Sequence, residues 1–245
     1  MKIAMIGTGK MGMAAADAAR QSGHDIVFEI NHLNRADFSI EDLKKVDIAI
    51  EFTQPDAVLQ NLYWCLEAGI PVVSGTTGWH NRYAEVHERF MNAKGSLLTA
   101  TNFSVGVNIM FELSKQLASW MKDHPQYQAS MQETHHTRKL DKPSGTAVTL
   151  AQEMIQSHQQ YKNWELQDGN ITLEKTVLPI RSIRENEVIG MHEVTWTSPI
   201  DKISIGHEAF NRDGFAQGAV LAAEWLSGKI GVFGMADVLF GERKR

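Results

Sequence analysis

Thiols are nearly absent from this chain: among 245 residues only Cys65 is a cysteine. Neither an intrachain disulfide framework nor a thiolate zinc site can be assembled, and a reducing cytoplasm is the expected setting. Charge of one sign is scarce as well. Basic side chains number 24 and acidic ones 29, a net of −5, and the one run of note is the short ERKR ending at residues 242–245. Nucleic acid or an anionic membrane is therefore not the expected partner. Long apolar runs are missing too. The opening MKIAMIGTG is too short for a signal core or a membrane span and leads into glycines, so no export is expected. Internal repeats and low-complexity tracts are also absent. What the chain does have is 43% hydrophobic residues, enough for a substantial core in one large domain or two modest ones.

The first hundred residues alternate short β-branched runs with helical patterns. KIAMI (2–6), DIVFEI (25–30), VDIAIEF (46–52), IPVVS (70–74) and SLLTA (96–100) are apolar on both faces, as strands of a parallel sheet covered on each side would be. Between the first two, Met11, Ala14, Ala15, Ala18 and Ala19 repeat at helical spacing, and their small side chains let a helix lie close to the sheet. From residue 105 the pattern changes. A long amphipathic helix carries Ile109, Met110, Leu113, Leu117, Trp120 and Met121 on one face, and a second carries Ala147, Val148, Leu150, Ala151, Met154 and Ile155. After a polar interval at QDGN (167–170), the runs NITLEKTVLPI, EVIGMHEVTWTS and KISIGHEA predict strands, with SPID as a turn, and residues 215–229 predict a closing helix. The expected fold is α/β: an N-terminal Rossmann-type parallel-sheet domain, residues 1–103, completed by the C-terminal helix 215–245, and an α+β domain, residues 104–214, with a mixed or antiparallel sheet.

GTGKMG sets Gly7, Gly9 and Gly12 in the G-x-G-x-x-G spacing, straight after a predicted strand and opening a predicted helix. Gly7 suits the tight turn, Gly9 lets backbone approach a pyrophosphate, and Gly12 lets helix and strand touch. Phosphates would then sit at a helix N-terminus with Thr8, Lys10 and Met11 around them. Glu29 closes the next strand, where an acid takes a ribose hydroxyl and repels a 2′-phosphate, which favours NADH. Arg35 and His32 lie close behind and can offset that repulsion, so NADPH stays open. Two later turns, SGTTG (74–78) and TATNFS (99–104), would lie at the same edge of the sheet, and turn chemistry alone accounts for either one. Phe52 suits the core as well as a ligand.

Residues 133–147 read ETHHTRKLDKPSGTA. Ser144 or Thr146 caps a helix starting near Ala147, with Pro143 setting its entry. A cap has no need of His135 and His136, or of the basic cluster Arg138, Lys139 and Lys142. Adjacent histidines face different ways on a strand and no thiolate is near, so no metal is expected. A pH-tuned acid fits better. The amides of Ser144, Gly145 and Thr146 at a helix start form a seat for a carboxylate, with Lys139 adding charge.

This stretch closely resembles the signature of the dihydrodipicolinate (4-hydroxy-tetrahydrodipicolinate) reductase family of bacterial lysine biosynthesis, roughly E-x-H-H-x-x-K-x-D-x-P-S-G-T-A. GTGKMG, EFTQPDAV, GIPVVSGTTG, TNFSVGVN and FAQGAVLAAEWL are similar to family segments in the same order. The resemblance implies that His135 is the acid/base residue and Lys139 the proton donor, with His136, Ser144, Gly145 and Thr146 holding a substrate carboxylate. It implies cofactor contacts from Gly7 to Gly12, from Gly75, Thr76 and Thr77, and from Ala100, Thr101, Asn102 and Phe103. It further implies NADH or NADPH as cofactor, a small dicarboxylate imine as substrate, a homotetramer joined through the second-domain sheets, and hinges near 102–106 and 213–216. The chain departs from the family in a glycine turn one residue shorter, in Gly190-Met191-His192 for the usual G-E-H, and in NRDGFA for a serine-rich run. Two other readings remain: a different two-domain nicotinamide dehydrogenase that shares only the dinucleotide half, and a non-catalytic NAD(H)-sensing regulator.

Overall fold

A computed structural model describes residues 1–167, 169 and 174–241. The chain divides into two compact units, one made of Met1–Val105 with the chain from Asp213 onward, the other of Gly106–Arg212. It passes from one to the other at Val105–Gly106 and Arg212–Asp213.

The first unit is built on β1 (Lys2–Ile6), α1 (Lys10–Gln21), β2 (Asp25–Ile30), α2 (Ile40–Leu43), β3 (Ile48–Glu51), α3 (Pro55–Ala68), β4 (Val72–Ser74), α4 (Tyr83–Asn92) and β5 (Ser96–Thr99). All five strands predicted from apolar runs form, β1 and β2 at the predicted bounds and the other three trimmed at their ends. β1 and β3 are buried over nearly their whole length, because helices cover both faces of a parallel sheet. One layer packs the alanines of α1 against Ile3, Met5, Ile48 and Ile50. The other packs Val58, Leu62 and Cys65 of α3 and Phe90 of α4 against Ala4, Ile6, Ala49 and Val72. At their C-terminal ends the parallel strands bring Ile6, Glu51, Ser74 and Thr99 to one edge.

The second unit opens with α5 (Val105–Met121) and continues through β6 (Gln128–His135), α6 (Gly145–His158), β7 (Asn163–Leu166), β8 (Val177–Arg184), β9 (Gly190–Thr197) and β10 (Lys202–Ala209). Its sheet runs β10-β9-β6-β8-β7. The β10–β9 and β9–β6 pairs are antiparallel, whereas β6–β8 and β8–β7 are parallel. A mixed sheet results. Neither the central strand β6 nor β7 is among the predicted strands. The expected strand over 170–180 begins among residues outside the described set, and its described part forms β8, which starts at Val177 and runs on to Arg184.

The buried stripe of α5 also differs from the one read from sequence. Val107, Met110, Ser114, Ala118 and Met121 are buried, whereas Ile109, Leu113 and Trp120 are exposed. α5 is apolar around much of its circumference, and the small Ser114 and Ala118 let it approach its neighbours. The chain closes in the first unit with α7 (Asp213–Leu226), β11 (Gly231–Phe233) and α8 (Met235–Phe240). β11 pairs parallel to β5 and completes a six-stranded sheet, β11-β5-β4-β3-β1-β2. The segment expected as one C-terminal helix is thus helix, strand and helix, and its residues 242–245 lie outside the described set. No helix among the described residues is long and apolar enough to cross a membrane.

Beneath the second sheet, His158 packs its ring against Tyr161 and Trp196, at centroid distances of 5.1 and 5.0 Å. Burial holds its pKa below the ordinary 6.5, with the Met121 backbone pulling weakly the other way. Burial likewise holds His192 down, to about 3. Below pH 6.5 the unfolded chain therefore binds more protons than the folded one, so stability rises with pH there and falls on acidification. Urea midpoints are expected to be flat above pH ~7 and to drop below it, with a slope of up to about 1.4 kcal/mol per pH unit for each histidine. His158→Phe should flatten part of that slope. A midpoint that climbs on acidification would contradict the burial account.

Candidate active site

The glycine turn joins β1 to α1. Gly7 has φ +100°, and a Cβ there would lie 2.0 Å from the Phe52 carbonyl oxygen. A Cβ on Gly12 would lie 1.8 Å from the Gly7 carbonyl oxygen, so the helix rests on the turn itself. A Cβ on Gly9 would meet nothing within 4 Å. Gly9 is also the N-cap of α1 and offers no side-chain cap, which leaves the first-turn N–H groups, at Lys10 and Met11, without a side-chain acceptor. An open backbone face at an uncapped helix start fits a pyrophosphate. Thr8 receives a hydrogen bond from Asn31 Nδ2 at 3.2 Å.

Glu29 forms an ion pair with Arg20 of α1, which also bonds Asp17. Arg35 turns elsewhere: its guanidinium carbon lies 3.2 Å from the centroid of the Trp64 ring, and burial lowers its pKa. His32 is exposed.

The end of β3 and the SGTTG turn after β4 are tied together by Glu51, a residue the sequence reading missed. Its carboxylate is fully buried at the end of β3. It accepts from the Thr53 amide at 3.0 Å, the Thr53 hydroxyl, the Thr76 hydroxyl at 3.0 Å and the Ser74 hydroxyl at 2.6 Å. Thr76 therefore turns its side chain inward, while Thr77 is exposed. A Cβ on Gly75 would lie 2.0 Å from the Phe52 ring, so only glycine lets that ring lie flat on the turn. Phe52 meets Phe103 edge-on at 5.8 Å. Phe103 is buried in the core and Asn102 Oδ1 accepts from the Ser104 amide at 2.9 Å, whereas Ala100 and Thr101 are half-buried. The sequence signal for Glu51 was an acid closing an otherwise apolar strand.

In the second unit β6 delivers Glu133 and His135, two residues apart and so on one side of the pleat. Both are buried. His135 Nδ1 bonds Glu133 Oε2; the Ser182 hydroxyl and Arg184 Nη1, the latter at 2.9 Å, donate to Oε1. Burial alone would raise the Glu133 pKa, but its hydrogen bonds with His135, Ser182 and Arg184 outweigh it and hold the acid at about 2. The His135 ring stands edge-on to His192 at 5.1 Å, and His192 Nε2 lies 3.0 Å from the Ser144 hydroxyl. Ser144 is the N-cap of α6, accepting from the Ala147 amide at 3.1 Å. Gly145 and Thr146 form the first helical residues, with Gly145 exposed.

Lys139 Nζ lies 2.8 Å from Asp141 Oδ1. Lys139 also acts on His192, its charge adding to the forces that depress that ring's pKa. His136 has its Nδ1 buried; burial lowers its pKa, and the charges of Arg138, Arg212 and His135 push the same way. Every predicted residue of this unit's site thus lies at the end of β6 or the start of α6. Glu133, Ser182 and Arg184 were missed as site members, and His192 was noticed only as part of a divergent triplet. Glu133, His135 and His192 bring three ligand-type atoms within 4.8 Å of one another. Of the candidate atoms, Glu133 Oε2 and His135 Nδ1 bond each other, Oε1 accepts from Ser182 and Arg184, and His192 Nε2 meets Ser144, while His192 Nδ1 is buried without a hydrogen bond.

Models of the N-terminus and the C-terminus of dihydrodipicolinate reductase match residues 1–103 and 106–239. This chain belongs to the dihydrodipicolinate reductase family. A 4-hydroxy-tetrahydrodipicolinate reductase of Christiangramia forsetii is 42% identical over 98% of both chains. Another, from Alkaliphilus oremlandii, is 35% identical over 80% of both. Among solved structures, a dipicolinate-bound dihydrodipicolinate reductase from Paenisporosarcina shares the fold, with a TM-score of 0.79 at 22% identity over 98% of this chain and 99% of that one. An amine dehydrogenase from Mycobacterium smegmatis shares it more loosely, with a TM-score of 0.62 at 12% identity, covering 95% of this chain and 94% of that one. Within the dihydrodipicolinate reductase family, then, the E-x-H-H-x-x-K run of this chain stands on the last residues of a central strand and the loop that follows it.

Proposed function

We infer that this chain is an NAD(P)H-dependent 4-hydroxy-tetrahydrodipicolinate reductase that yields tetrahydrodipicolinate in the diaminopimelate route to lysine. The observation that carries the reading is the set of His135, Lys139 and the Ser144-capped start of α6 around the end of β6. The nicotinamide, when bound, supplies a hydride with its electron pair. Once the 4-hydroxy group has left as water the ring is a conjugated imine, and as the pair enters it a π bond opens, negative charge builds toward the ring nitrogen, and one proton must be delivered. Lys139 or His135 gives it. The α6 amides of Gly145 and Thr146, with His136 and the Ser144 hydroxyl, hold a substrate carboxylate, and Arg138, Arg184 and Arg212 make the surroundings electropositive for a dianion.

The first unit, residues 1–103 with the C-terminal segment, holds the dinucleotide; the second, 104–214, takes the substrate and assembles the oligomer. NADH is the favoured cofactor, because Glu29 stays at the ribose position while Arg35 is spent on Trp64. Support for a homotetramer comes from the sheet of the second unit. Ala129, Met131, Ile180, Val194 and Trp196 pack inward with residues of α5 and α6. By the period of two, Ser130, Arg181, Thr195 and Ser204 fall on the opposite face, half-buried or exposed. The lone buried thiol suits a cytoplasmic enzyme.

A coupled assay that generates the unstable precursor in place and follows near-ultraviolet absorbance tests this reading. Turnover is expected with both cofactors, with the higher kcat/KM for NADH. A silent trace despite tight NADH binding would favour a non-catalytic regulator instead.

A further inference from the structure

The carboxylate beside His135 has no role in holding substrate, and its burial requires a reason. Glu133 is fully buried, where an unpaired acid would be strongly unfavourable. All of its partners lead to groups of the site. Oε2 faces His135 Nδ1, and Oε1 takes Ser182 and Arg184 Nη1. Arg184 Nη2 donates to the Asp141 carbonyl at 2.6 Å, and the Asp141 carboxylate holds Lys139. One connected chain, His135–Glu133–Arg184–Asp141–Lys139, therefore runs between both proton-handling residues.

We propose that Glu133 is the positioning residue of this site, fixing the Nδ1–H tautomer of His135 so that Nε2 is the nitrogen that exchanges a proton with substrate. The proposal rests on the acid/base role of His135 given above. A carboxylate can only accept, so the nitrogen facing it carries hydrogen in the neutral and the charged ring alike. Nε2 is left as the titrating atom. Residue 190 fits this arrangement: a Cβ on Gly190 would stand 3.0 Å from His135 Nε2, so glycine keeps that nitrogen uncrowded by a side chain.

The titratable and charged groups around the ring are Glu133 on its own strand, Arg184 on β8, His192 on β9, and His136 and Lys139 in the following segment. His192 is held neutral by burial at working pH and adds no repulsion. Arg184 is bonded to the same carboxylate, which screens it from the ring. Glu133 is in direct hydrogen-bond contact with the ring at Nδ1, and so it sets which nitrogen carries hydrogen.

Glu133→Gln tests the proposal in the full chain. A glutamine can accept from or donate to Nδ1, so the tautomer is no longer imposed and the charge is gone. Histidine 15N spectra are expected to show His135 as the Nδ1–H form in the parent and as a mixture in the variant. kcat should fall by roughly 10²-fold or more, with KM for NADH unchanged. Ser182→Ala, which loosens the carboxylate without removing it, should admit the other tautomer and lower kcat to a smaller degree, and it carries the test if Glu133→Gln does not fold. Parent-like 15N spectra overturn the proposal. His135→Gln separates the two levels: if it retains turnover, the acid/base assignment itself fails, whereas an inactive His135→Gln beside a parent-like Glu133→Gln removes only the positioning role.

Discussion

Lys139→Met is expected to lower kcat by roughly 10²- to 10⁴-fold, the usual worth of a positioned proton donor, while the dissociation constant for NADH stays at its parent value. Methionine keeps the length and the apolar stem of lysine but carries neither charge nor proton. In the folded chain the ammonium is already placed: it lies 2.8 Å from Asp141 Oδ1, and the Lys139 amide donates to the His136 carbonyl at 3.1 Å. That contact leaves its mark on the acid. Burial would raise the Asp141 pKa, yet the hydrogen bond from Lys139 brings it below the carboxylate range. Asp141 therefore stays ionised and holds the ammonium in one place before substrate arrives. Rapid-mixing measurements of NADH oxidation with freshly generated substrate, alongside equilibrium NADH titrations, separate the two quantities. Full turnover in Lys139→Met would remove Lys139 from the chemistry. A parallel loss of NADH affinity would show that the substitution reaches the glycine turn, which belongs to the other compact unit.

The parts of this molecule that sequence exposes are those whose burial is apolar. β1 and β3 consist of residues that water rejects on both faces, and they stand out as hydrophobic runs. β6 does not. Its inward positions run Ala129, Met131, Glu133, His135, and the last two are buried because they satisfy each other and Ser182 and Arg184, a condition that no hydropathy pattern records. The apolar runs therefore do not mark this strand, although Glu133 and His135 stand two residues apart in the sequence. Glu51 is hidden for the same reason, its carboxylate satisfied by the amide and hydroxyl of nearby Thr53 and by the hydroxyls of Ser74 and Thr76, more than twenty residues on. α5 fails differently. An almost uniformly apolar helix has no unique inward stripe, and its phase is set by where small residues permit close approach, at Ser114 and Ala118. β11 is only three residues long and begins at Gly231, whose φ is +138°, too short to carry a period. The glycine turn and the start of α6 were legible because their chemistry is local: a tight turn, a close backbone approach and a cap each act over a handful of residues.

The glycine turn also yields a contrast between two substitutions that separates architecture from ligand binding. Gly12→Ala forces a Cβ to within 1.8 Å of the Gly7 carbonyl oxygen and 2.9 Å of its carbon, and both are backbone atoms. Neither can swing aside as a flexible side chain would, so either α1 must lift from β1 or the turn must change shape. Overpacking of this kind costs about 1–3 kcal/mol or more, and the loss of the turn should abolish measurable NADH binding. Gly9→Ala is the opposite case. Its backbone, φ −72° and ψ −175°, is open to any residue, and its Cβ would meet nothing in the folded chain, so stability should stay within about 0.5 kcal/mol. A pyrophosphate seated against the uncapped start of α1 would meet that methyl group, and NADH affinity should fall at least about tenfold, equivalent to roughly 1.4 kcal/mol. Thermal midpoints and NADH titrations on both variants read the two effects apart. If Gly9→Ala binds NADH as the parent does, the phosphates do not lie on that open face, and Gly12 retains only its structural role of letting helix and turn touch.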